Sequence, residues 1–162
     1  MRLIIAAIFG IIIMVSCGES GREQNRTIKK AAAIHEEILE RYDSLYSALK
    51  AEDERIVAEL EAGISNTKRK SAYESMKRSI DKSFRLLATW EESVVAVPGV
   101  EHHHDHDGEH HHSHDHMKED IAESMSDKEI LELQRALQVR LNEVATGIRG
   151  LLNTIEMYDQ NG

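Results

Sequence analysis

Nine of the ten histidines in this 162-residue chain fall between His102 and His116, in the run HHHDHDGEHHHSHDH. Near neutral pH an unprotonated imidazole offers a lone pair to a borderline metal ion. The candidate ligands are His102, His103, His104, His106, His110, His111, His112, His114 and His116. The carboxylates Asp105, Asp107, Glu109 and Asp115 add oxygen ligands and negative charge. Histidines two apart (His104/His106, His112/His114, His114/His116) can chelate in an extended chain. Pairs four apart (His106/His110, His110/His114, His112/His116) can do so in a helix. Many overlapping pairs mean many alternative sites and no single preorganised one, and binding must order the segment. The expectation is multi-site, exchangeable binding of roughly micromolar grade. With no cysteine or methionine in the run, Zn2+, Ni2+ and Cu2+ suit it better than Cu+. Two other readings stand beside this one. The run can be a polar linker, or a pH sensor whose imidazoles turn cationic near pH ~6.5.

A run without one aliphatic or aromatic side chain cannot form a packed core, so other elements must hold it. Its compartment is indicated by the start of the chain. Arg2 supplies a positive charge, and Leu3 to Val15 is a run of thirteen almost wholly apolar residues, the length of a signal h-region and short for a membrane span. Met14-Val15-Ser16-Cys17 resembles a bacterial lipobox, with Met14 where leucine is usual. Residues 1–16 are thus expected to be a lipoprotein signal peptide, with Cys17 the lipidated first residue of the mature chain. An ordinary secretory signal and an uncleaved anchor are the alternatives. Cys17 is the only cysteine, so no disulfide within the chain is possible. Thioether lipidation removes the liability of a free thiol in an oxidising compartment. Two or three acyl chains would anchor the protein stably. Residues 17–26 are then expected to be an extended polar tether, reaching roughly 30 Å at ~3.3 Å per residue.

The 146 residues from Cys17 onward suffice for one domain, and carry 19 Lys and Arg against 29 Asp and Glu. That excess of negative charge argues against nucleic acid and against electrostatic attraction to anionic lipid, and suits cation binding. The only proline is Pro98, and aromatic residues are scarce. Outside the histidine run the composition is helical.

Three amphipathic stretches predict three helices within residues 27–160. The first, from Thr27 to about Glu61, carries Ile28, Ala32, His35, Leu39, Tyr42, Leu45, Tyr46, Leu49, Ile56 and Leu60 at heptad-like steps, as in a coiled coil. Gly63 and Asn66 supply turn chemistry. The second runs from about Thr67 to Val97 through Tyr73, Met76, Ile80, Phe84, Leu87, Trp90, Val94 and Val97, and Pro98-Gly99 ends it. The third opens on a capping box, Ser126-Asp127-Lys128-Glu129. It continues through Ile130, Leu133, Leu137, Leu141, Val144, Ile148, Leu151, Ile155 and Tyr158. Gly147 and Gly150 are tolerated within it and suggest close approach of a neighbour.

The fold expected is all-α: a three-helix antiparallel up-down-up bundle, with a long disordered His-rich insert (98–125) between the second and third helices. Asp120 to Met125 suggests a short helical lead-in. In that topology the insert emerges at the anchored end. His35 lies toward the same end, either as one more metal ligand or, preferred on spacing, as a core-edge histidine bonded to a neighbour. No catalytic arrangement stands out. There is no HExxH, G-x-S-x-G or phosphate loop, and a flexible loop cannot preorganise a triad or oxyanion hole. The reading is a non-enzyme.

Taken together, several features resemble a group of small helical lipoproteins of Bacteroidetes-type bacteria, some described as "viral A-type inclusion protein". They are the lipobox-like start, Ile34-His35-Glu36-Glu37 early in the first helix, Trp90 late in the second, Val97-Pro98-Gly99 before the His/Asp/Glu run, and the closing amphipathic helix. The resemblance implies an envelope lipoprotein and no particular activity, and the site expected for the anchored protein is the outer membrane. The residues themselves suggest a metal buffer or handover protein, whose captured ions stay near envelope metal transporters. A helical spacer or interaction lipoprotein is the competing reading.

Overall fold

The computed structural model describes residues 17–99, 122 and 124–161, with the backbone alone at 17–24 and 161. Among the described residues three long helices are present: α1 (Cys17–Glu61), α2 (Thr67–Glu91) and α3 (Asp127–Asn161). No strand occurs among the described residues, so the protein is all-α.

Local sequence chemistry sets most of the helix ends. Past α1 the chain turns at Gly63, whose φ of 81° lies in the left-handed region that glycine tolerates. Asn66 caps α2 by accepting from Lys68 N (3.0 Å) and Arg69 N (3.2 Å). The capping box of α3 forms as its spacing predicts. Ser126 N donates to Glu129 Oε2 (2.8 Å) and Glu129 N donates to Ser126 Oγ (3.4 Å). The hydroxyl and backbone N–H of Ser126 hold the Glu129 carboxyl below its usual range.

Two ends differ from expectation. α1 starts at Cys17 rather than Thr27, so residues 17–26 are helical and not an extended tether. Gly18 and Gly21 cost roughly 1 kcal/mol each in a helix, but no proline intervenes and the segment propagates from a long helix already nucleated. At ~1.5 Å per residue it spans about 15 Å instead of 30. α2 stops at Glu91 rather than Val97. Ser93 Oγ donates to Trp90 O (2.5 Å), taking a carbonyl a longer helix would use. The following Val94, Val95 and Val97 are β-branched, and Val97 packs into a different core.

The chain divides into two compact units. The first comprises Met1–Ile34 and Val95–Gln134, and the second His35–Val94 and Arg135–Gly162. α1 and α3 contribute residues to both.

In the second unit, all three helices present a buried face. Those residues are His35, Ile38, Leu45, Leu49 and Ile56 of α1, Tyr73, Met76, Ile80, Ser83, Leu87 and Trp90 of α2, and Leu137, Leu141, Ala145, Ile148 and Ile155 of α3. Its seams differ in chemistry. Between α1 and α2, Tyr42 stacks on Trp90 (centroids 5.5 Å apart) and Tyr46 meets Phe84 edge-on (5.3 Å). Further along, Lys77 sits between Asp53 (3.0 Å) and Asp81. Between α1 and α3 the links are polar: Gln138 Nε2 to Glu37 (3.1 Å), Arg41 to Asn142, and Arg55 to Asp159 (2.6 Å). Between α2 and α3, Trp90 Nε1 donates to Leu137 O (3.0 Å), and the Tyr73 hydroxyl donates to Asp159 (2.9 Å) while accepting from Arg69 (3.1 Å).

The first unit has a core of its own among the described residues. Ala31, Val97, Ile130 and Leu131 are buried together, with Ile28, Ala32, Ile34 and Met125 packed against them.

Several expected stripe positions shift by one residue. Ala31 and Ile38 are buried where Ala32 and Leu39 were expected, and Ala145 where Val144 was. Tyr46 is 43% exposed. Gly147 and Gly150 face open space, with nothing within 4 Å of a built Cβ, so they mark no close approach among the described residues.

Candidate functional site

The metal-ligand candidates His102, His103, His104, Asp105, His106, Asp107, Glu109, His110, His111, His112, His114, Asp115 and His116 all lie outside the described residues. What the structure describes is the footing on either side of them.

On the entry side, the chain leaves α2 and passes through Val95, Val97 and Gly99 in the first unit. Gln134, fully buried on α3, donates from Nε2 to Val95 O (2.8 Å). Two residues later the Val97 side chain enters the core with Ala31, Ile130 and Leu131. Gly99, at φ 79°, then turns the chain where other residues would be strained. On the exit side Ala122 is buried and helical. Met125 N donates to Ala122 O (3.2 Å), and Ser126 opens the α3 cap. Ala122 and Ser124 are helical, in keeping with the expected lead-in.

These two feet rest against α1. Ala31, which both Val97 and Ile130 join, is fourteen residues along α1 from Cys17, a rise of about 21 Å. The segment carrying nine histidines therefore springs from the same unit that holds the start of α1. Of Cys17 the structure gives the backbone, as the first residue of α1.

His35 is 2% exposed, on the buried face of α1 in the second unit, and it has an interaction partner. This placement agrees with the core reading of that residue. Among the described residues, no group of three or more His, Cys, Asp or Glu side chains is arranged to hold a metal ion.

Tyr42, Tyr73 and Trp90 serve packing. Burial, and then the hydrogen bond to Glu91 Oε2 (2.7 Å), push the Tyr42 phenol well above its usual range. Arg55 is also held above its usual range. Burial opposes its charge, but hydrogen bonds to Glu52 and Tyr73 outweigh that.

The residue that sequence reasoning missed is Gln134. An amide between Ile130 and Leu137 reads as a break in the apolar stripe. Its place three residues before Leu137, on the core side of an otherwise regular helix, was the available signal.

Among the described residues no helix is long and apolar enough to cross a membrane. Comparison with known protein families, curated proteins and solved structures finds no match. The class the fold defines is an all-α protein with three long helices among the described residues and a histidine- and carboxylate-rich segment between the second and third.

Proposed function

We propose that this chain is a lipid-anchored envelope protein that binds divalent transition metal, zinc foremost, through His102 to His116 and serves as a buffer or handover protein. The single observation that carries the reading is the concentration of nine of ten histidines, interleaved with carboxylates, in fifteen residues. The imidazole pairs capture the ion, and Asp105, Asp107, Glu109 and Asp115 raise the local cation concentration. Equivalent pairs give more than one ion per chain, with fast exchange.

The three helices form an up-down-up bundle in this reading, with the insert as its one long, disordered connection. Contact order in the second unit supports the arrangement. Tyr42 meets Glu91 while Asp53 meets Lys77, the opposite chain sense for α1 and α2. Glu37 meets Gln138 while Arg55 meets Asp159, the same sense for α1 and α3. Cys17 carries the lipid, and residues 1–16 are removed. The protein faces the periplasm or the exterior and acts without catalysis.

Zinc titration calorimetry on the chain from Cys17, at pH 7.5 and 5.5, tests this. We expect more than one ion bound at the higher pH and strong weakening at the lower, because protonated imidazole has no lone pair to give. Binding weaker than ~1 mM at pH 7.5 would remove the metal role. Equal binding at both pH values would transfer it to the carboxylates.

A second reading is a non-catalytic spacer or interaction protein with an incidental or pH-sensing histidine run. The polar ties between α1 and α3, which suit a rod, favour it. Deleting residues 101–116 separates the two. Changed growth in scarce or excess zinc supports the metal role, whereas unchanged growth supports the rod.

A further inference from the structure

The net charge of −9 conceals a segregation. α1 carries seven Lys and Arg against eleven Asp and Glu. Between α2 and α3, residues 100–126 carry one lysine against eight acids. α2 reverses the balance, with seven Lys and Arg against three Asp and Glu.

The acids of α2 are not on its outer surface row. Asp81 pairs with Lys77, which also pairs with Asp53 of α1, and Glu74 shares their flank at steps of three and four. Glu91, at the last turn, accepts from Tyr42. The opposite row reads Lys68, Ser71, Ser75, Arg78, Lys82, Arg85 and Thr89 at steps of 3, 4, 3, 4, 3 and 4, and every member is exposed. It contains four cations, three hydroxyls, no carboxylate and no apolar residue. The side chains of Lys68, Arg78, Lys82 and Arg85 enter no ion pair among the described residues. At ~1.5 Å per residue the row is about 32 Å long.

We propose that this outward row of α2 rests on the anionic phosphate headgroups of the membrane to which Cys17 is anchored. The proposal rests on anchoring at Cys17. The row itself has no apolar member and matches a plane of negative charge, with Leu86, exposed beside it between Lys82 and Thr89, as the large apolar neighbour at the headgroups. It also lacks the aromatic residues that stack nucleobases. Attraction per cation is modest, but the anchor makes contact intramolecular, so a modest attraction suffices. α2 then lies along the bilayer instead of standing away from it.

Because Cys17 is the only cysteine, the chain from Cys17 can be coupled through it to a maleimide lipid, whether or not the cell lipidates it. Failure of cellular lipidation is thereby separated from failure of the docking. The measurement is the acylation rate of each lysine, by mass spectrometry, on vesicles of phosphatidylcholine with and without phosphatidylglycerol. We expect Lys68 and Lys82 to slow about threefold or more on the anionic vesicles, and to recover when salt shortens the screening length. Arg78→Glu with Arg85→Glu should abolish that protection while circular dichroism stays unchanged, and Arg78→Lys with Arg85→Lys should retain it. Three results would overturn the proposal: equal rates on both vesicles, slowing confined to Lys29 and Lys30 near the anchor, or slowing by soluble polyphosphate but not by vesicles.

Discussion

The two units use the same three-helix chain in different ways. The second buries Trp90 and Tyr73, stacks Tyr42 on the indole, and ties each pair of helices by at least one polar link. The first buries Ala31, Val97, Ile130 and Leu131, with Gln134 holding a carbonyl of the connecting segment. Large aromatic side chains carry more buried area per ordered residue and can satisfy buried carbonyls as well. Among the described residues, the large buried aromatic side chains thus belong to the second unit. The feet depend on small aliphatic contacts and one amide.

The largest test of that contrast is Trp90→Ala. It removes the indole, its bond to Leu137 O and its stack with Tyr42, and should cost about 3–5 kcal/mol of global stability, read as a fall in the denaturant midpoint. A cost near that of an exposed site would mean the buried indole does not stabilise the second unit.

Gln134→Ala probes the other side. It leaves the Val95 carbonyl without its amide donor and should cost about 1–3 kcal/mol. Hydrogen exchange should quicken around Ile130 and Leu131 before it changes in α2. Equal quickening in both would show that the units open together.

Tyr42→Phe gives the smallest effect, about 1 kcal/mol at neutral pH for the lost bond to Glu91. Its pH dependence is more telling. The folded Tyr42 pKa is raised, so the associated stability is fully present below the unfolded value near 10 and falls as pH climbs above it. Melting followed from pH 8 to 11 should show a steeper alkaline decline in the parent than in the variant. Parallel declines would assign the effect to other groups.

Where one residue type has one local use, the sequence was readable. The Ser126–Glu129 box and the turn at Gly63 and Asn66 sit where their chemistry requires, whereas Pro98-Gly99 turns the chain only after α2 has already ended at Glu91. Phase was harder. Ala31-Ala32-Ala33 and Ile38-Leu39 offer adjacent apolar positions, and only packing selects Ala31 and Ile38. The repeat through Val94 and Val97 outran its helix because Val97 satisfies a different core. Gln134 was invisible to a hydrophobic pattern. Summed charge is equally coarse, since a total of −9 contains the basic α2. The histidine run lies outside the described residues, and its footing emerged only with the packing of the first unit.

The ties between α1 and α3 carry a consequence for the order in which the chain assembles. Arg41 and Asn142, like Glu37 and Gln138, are 101 residues apart in sequence, whereas Asp53 and Lys77 are 24 apart. Short separations close first, so a hairpin of α1 and α2 precedes the arrival of α3. During synthesis the α3-facing side of that hairpin must wait for the last quarter of the chain. The 22 residues of 100–121 add little to this delay, because closure entropy rises only with the logarithm of length, by roughly 0.2 kcal/mol here. Histidine codons can therefore be gained or lost in that stretch with almost no change in how the three helices find one another.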